Sequence, residues 1–131
     1  GPNHPHTLTS RNNLASTCLA MGRFDRAIDL FEQNLAESQI ILGPDHPHAI
    51  ASRGNLAAAH RDAGRLDEAI GLFERTLADC ERVLGPNHPQ TELFRNKLAA
   101  AYWAAERPED AKALLGPLPD IDGTGADRTG D

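Results

Sequence analysis

A five-residue phrase sets the architecture of this chain. Gly1-Pro2-Asn3-His4-Pro5 returns as Gly43-Pro44-Asp45-His46-Pro47 and again as Gly85-Pro86-Asn87-His88-Pro89, a step of 42 residues each time. The register holds between these phrases. Asn13-Leu14-Ala15 matches Asn55-Leu56-Ala57 and Lys97-Leu98-Ala99, and Gly22-Arg23-Phe24-Asp25 matches Gly64-Arg65-Leu66-Asp67. Aligned without a gap, residues 1–42 and 43–84 share 21 identities. A chain built this way repeats one supersecondary unit. Such a unit cannot bury its own apolar face, so neighbours must stack to make a continuous core.

Each unit reads as two helices. The first spans about 7–21, with Leu8, Leu14, Ala15, Cys18 and Leu19 at helical spacing, and Gly22 ends it. The second spans about 24–42, with Ala27, Ile28, Phe31, Leu35 and Ile41 inward, and stops at Gly43-Pro44. His46-Pro47 then sets a turn, because a residue before proline is pushed out of the α region. The second unit repeats the pattern at about 49–63 and 66–84, and the third at about 91–105 and 108–115. The expectation is an all-α array of antiparallel helix pairs with three units, 1–42, 43–84 and 85–115, the last truncated. Residues 116–131 hold four Gly, two Pro and four Asp, a composition expected to give a disordered acidic tail. Residue 1 falls inside the repeat phase, so the chain is expected to be the C-terminal part of a longer array. The uncovered first unit would then be a surface for a homodimer.

The repeat resembles the tetratricopeptide repeat (TPR), whose usual unit is about 34 residues. Leu14-Ala15, Gly22, Ala27 and Phe31 stand at the family's signature spacings, as do Leu56-Ala57, Gly64, Ala69 and Phe73. Eight further residues lengthen the second helix and add the Leu-Gly-Pro-x-His-Pro linker, as in the 42-residue repeats of kinesin light chain and of many bacterial proteins. Departures are Cys18 and His60 where an aromatic is usual, Asn34 and Thr76 where a small residue is usual, and Glu106-Arg107-Pro108 in place of the third Gly-Arg-hydrophobic turn. The resemblance implies a right-handed superhelix whose first helices line a concave groove and whose second helices form the back. It implies a non-enzymatic module that binds a protein or peptide as part of a larger regulatory protein.

The charges divide along those lines. Arg11, Arg53, Arg61, Arg95 and Lys97 against Asp62 and Glu92 give the first helices +3; the second helices sum to −7. A positive concave surface favours an acidic ligand, so an extended acidic peptide is the expected partner. Two columns follow the 42-residue step: Arg11, Arg53 and Arg95, and Asn13, Asn55 and Lys97. By resemblance, an Asn there hydrogen-bonds the backbone of an extended peptide; a Lys favours a carboxylate. Asn12, Asn96, Arg61 and Trp103 should lie near the same surface by helical spacing. Each reading has a structural counterpart: the arginines could brace helices against second-helix acids, the asparagines could bond a neighbouring helix, and Trp103 could be core. The acidic tail offers a further occupant for the groove.

Other functions lack their residues. At net −6 over 131 residues the chain is a poor nucleic-acid coat. No run of about 18 apolar residues suits a membrane span. Cys18 and Cys80 read as buried thiols of a reducing, cytoplasmic setting. His4-x-His6 and His46-x-His48 are not repeated at His88-x-Gln90 and lack further ligands nearby, so these histidines read as turn residues and no metal or cofactor is expected. Cys18 and His60 share one repeat position and read as a core column without a catalytic partner.

Overall fold

The computed structural model describes residues 5–116, and side-chain burial from residue 7. The tail reading of 116–131 and the pair His4 and His6 therefore lie almost wholly outside the described residues. Six helices follow one another: α1 Pro5–Ala20, α2 Phe24–Ile41, α3 Pro47–Asp62, α4 Leu66–Val83, α5 Pro89–Ala104 and α6 Pro108–Leu115. Each packs on its sequence neighbour, α1 on α2, α2 on α3, and so on to α6. No strand occurs among the described residues.

The helix starts correct the sequence reading by two residues. α1, α3 and α5 begin at the proline of each His-Pro pair rather than after it. His46 and His88 are N-caps in extended conformation, and their Nδ1 atoms accept from the backbone N–H of His48 and Gln90, each at 3.0 Å. Proline suits the first helical position, where its missing N–H would have had no helical partner. The histidines are thus caps, a more specific role than turn residues.

Between helices the chain turns through left-handed glycines, among them Gly22 at φ 77° and Gly64 at φ 81°. In the third unit Glu106 takes this conformation at φ 60°, where a side chain carries a steric penalty.

The core follows the repeat. Phe31, Ile28 and Leu56 belong to one apolar cluster; Phe73, Ile50, Phe94 and Leu98 belong to the next. Equivalent positions show what stacking does. Leu14 on α1 is 48% exposed, whereas Leu56 and Leu98, one and two repeats on, are 5% and 2% exposed. Ser10 and Thr17 are exposed, whereas Ser52 and Ala59 are buried. The helices α3 and α5 are covered on this face by the preceding unit, and α1 is not.

Candidate functional site

The first helices present one side chain per repeat at each position, and the structure sorts the sequence candidates by what they touch. The arginine column is engaged within the fold. Arg11 on α1 meets Glu37 on α2 at 2.8 Å. Arg53 on α3 is 3% exposed and pairs with Asp79 on α4. Arg95 on α5 donates to the Pro86 carbonyl at 3.0 Å and lies 3.5 Å from Glu81. Asp79 also receives Arg82, which bonds Asp45 in the α2–α3 linker through two nitrogens and holds that carboxyl below its usual range. Of the two roles open to this column, bracing is the one its geometry displays. The second-helix acids Glu37 and Asp79 are the reason, since they bring carboxylates to the guanidinium groups.

The amide column is divided. Asn13 is exposed. Asn55 is half-buried and donates through Nδ2 to Oδ1 of Asn12 at 2.9 Å, bridging α3 to α1. This bond leaves the Asn55 oxygen as an acceptor. Lys97, third in the column, is half-buried; Asn96 beside it is exposed. Arg61 is half-buried and bonds its neighbour Asp62 at 3.1 Å.

Trp103 is 50% exposed, so it is not core. It shares a face of α5 with Leu93, Asn96 and Ala100, spaced as residues on one side of a helix, and all four are exposed. Leu93 was not among the sequence candidates. Its signal was an apolar residue at the repeat position of Thr9 and Ala51. The equivalent position to Asn96 on α3 is Gly54, and there the Phe94 ring closes the surface: a Cβ built on Gly54 would collide with it.

The column Cys18, His60, Tyr102 lies on the inner side. Cys18 and Tyr102 are buried and His60 is half-buried. The Tyr102 hydroxyl donates to Glu74 on α4, and the Arg107 guanidinium stacks 4.7 Å from its ring centroid. Among the described residues no three His, Cys, Asp or Glu side chains gather as a metal-binding group. No described helix is long and apolar enough to cross a membrane.

A helix pair of this length, with Ala at the pair contacts, Gly at the intra-unit turn and a first-helix column pattern, matches known family models over nearly all the described residues. Models of the tetratricopeptide repeat match residues 7–48 and 48–116. The chain belongs to the tetratricopeptide repeat family. TPR repeats mediate protein–protein interaction, and this array is of the kinesin light chain-like kind. A solved structure from Podosopora anserina, described as a kinesin light chain with nearly identical TPR-like repeats, is 33% identical with a TM-score of 0.77, covering 86% of this chain and 53% of that one. A point variant of the same protein gives 33% identity and 0.77, covering 88% and 54%. BtubC (BKLC) from P. vanneervenii is 21% identical at a TM-score of 0.69, covering 86% and 47%, a likeness of fold. The chain thus spans about half the length of these solved TPR proteins. No curated protein matches it.

Proposed function

We propose that this TPR array binds an extended, acid-containing segment of a partner protein along the face formed by α1, α3 and α5, as a part of a larger regulatory or scaffold protein. The observation that carries the reading is the row of side chains left unengaged on that face. Asn13, Asn96 and Trp103 are exposed and Lys97 is half-buried; all four are polar or aromatic and sit at or beside repeat-equivalent positions. An amide can donate to and accept from a peptide group whatever side chain that group carries. Lys97 supplies the attraction for a carboxylate, and Trp103 a large flat surface for an apolar side chain. With Arg11, Arg53, Arg61 and Arg95 each paired with a carboxylate of the fold, the preference for acid rests on Lys97. It is correspondingly modest, and affinity should lie near micromolar, about −8 kcal/mol. Selection of random linear peptides by display tests this. Enrichment of sequences holding Asp or Glu, with binding that weakens as salt rises, is the expected result; enrichment of basic or charge-free sequences would contradict it.

The uncovered face of α1 favours a second reading, self-association through the first unit. Leu14 on that helix is 48% exposed, and Met21 in the turn just after it is 61% exposed. Sedimentation over a range of concentrations would show a dimer that Leu14→Glu abolishes; a constant monomer mass would rule it out.

A further inference from the structure

The α1–α2 turn and the α3–α4 turn border a hollow of about 460 Å³, open to solvent, whose lining includes Arg23, Asp25, Arg26 and Arg65. Arg65 bonds Asp25 at 2.8 Å across the two units. Neither Arg23 nor Arg26 has a carboxylate partner among the described residues. Three guanidinium groups against one carboxylate leave the lining at about +2 near neutral pH.

The repeat does not require this charge. One and two steps on from Arg26 stand Glu68 and Asp110, acids in the first turns of α4 and α6. Acids there answer the positive end of the helix dipole; a cation at the same place opposes it. Arg26 therefore works against α2, and helix formation does not explain it. The turn arginine of the third unit differs too, since Arg107 is taken up by Asp110 at 2.8 Å and by the Tyr102 ring. In this hollow Arg23 and Arg26 line one surface with no carboxylate of their own among the described residues.

We propose that this hollow binds a phosphate group, the chemistry common to a phosphorylated side chain of a partner protein and to free phosphate. A phosphate monoester carries about −1.5 to −2 near neutral pH, which balances the lining, and its oxygens accept the paired N–H groups of arginine. A single carboxylate would leave a charge uncompensated.

The test is an NMR titration of the whole chain at constant ionic strength with three probes: inorganic phosphate, N-acetyl-phosphoserine-methylamide and acetate. Saturable shifts of the Gly22, Arg26 and Ala63 amides with both phosphate probes assign the site to phosphorylated side chains. Shifts with inorganic phosphate alone assign it to the free ion. Replacing Arg23→Gln and Arg26→Gln together should weaken binding about tenfold or more, as loss of charge-assisted contacts does. Arg75→Gln, exposed on α4, should leave binding unchanged. The arginines of the hollow are at the surface, and circular dichroism checks that the variant remains folded. Absence of saturation, equal binding of acetate, or unchanged binding in the double variant would overturn the proposal.

Discussion

The Phe94 ring of α5 occupies the space in which a side chain at Gly54 of α3 would stand. The two residues break their columns together. Residue 54 is Gly where the other units have Asn12 and Asn96, and residue 94 is Phe where they have Ser10 and Ser52. One departure compensates the other, and the pair locks the second unit to the third through a ring that also lies 6.4 Å from Phe73.

Restoring the repeat's own asparagine at that site is therefore harmful. Gly54→Asn should cost about 1–3 kcal/mol, because Phe94 is buried and cannot swing away. Combined with Phe94→Ser the loss should be less than the sum of the single changes, since neighbours in contact couple. Urea denaturation of the four proteins checks this; additive losses would contradict the contact.

Glu106 stands where the other units have Gly22 and Gly64, and it adopts the same left-handed backbone at φ 60°. Glu106→Gly should stabilise the array by about 1 kcal/mol, removing the side-chain penalty of that conformation. For a domain of roughly 100 residues this raises the melting temperature by about 4 °C or more. A lower melting temperature would show that the Glu106 side chain has a role the turn geometry does not reveal.

Arg53 and Asp79 form the most enclosed ion pair of the array. Arg53→Ala leaves a carboxylate without its main partner and should cost about 3 kcal/mol. Arg11→Ala, in the better solvated pair with Glu37, should cost about 1 kcal/mol or less. Denaturant midpoints rank the two, and equal losses would contradict the difference in burial. Charge reversal at Arg53 would accordingly report on folding, and binding is better probed at Lys97 and Trp103.

Alkali should weaken the fold in a defined window. Burial, then the hydrogen bond to Glu74, pushes the Tyr102 hydroxyl from 10.0 up to about 12. Burial, then the charges of Asp79 and Glu81, pushes the Cys80 thiol from 9.0 up to about 11. Both groups hold their protons more tightly when folded. Their contribution is fully present below about pH 9 and is lost as pH rises to about 12. Urea midpoints should fall across that range, and Tyr102→Phe should remove the upper part of the fall. A variant that declines as steeply as the parent would contradict the assignment.

The array was legible in the sequence because the 42-residue step repeats both apolar positions and turn glycines. Helix interiors and the short α6 followed from it. The helix starts were misplaced because the restriction before proline acts on His46 and His88, not on the proline, which is itself a good first helical residue. The site was legible as columns but not as partners. Whether Arg53 faces solvent or Asp79, and whether Asn55 reaches a ligand or Asn12, depends on contacts between units that a single-helix pattern does not encode. Trp103 could be read as core or surface, since the burial of a last-turn aromatic depends on what packs beyond α5. Gly54 showed as a gap in a polar column, and its meaning required the neighbouring Phe94.

The most direct test of the proposed function is the NMR footprint of a display-selected acidic peptide on the labelled array, with dissociation constants for the parent and for Lys97→Ala and Trp103→Ala. The account predicts shifts confined to α1, α3 and α5, centred on Asn13, Asn96, Lys97 and Trp103. It also predicts that each substitution weakens binding about tenfold, or about 1.4 kcal/mol. A footprint on α2 and α4, or affinities untouched by both substitutions, would contradict it.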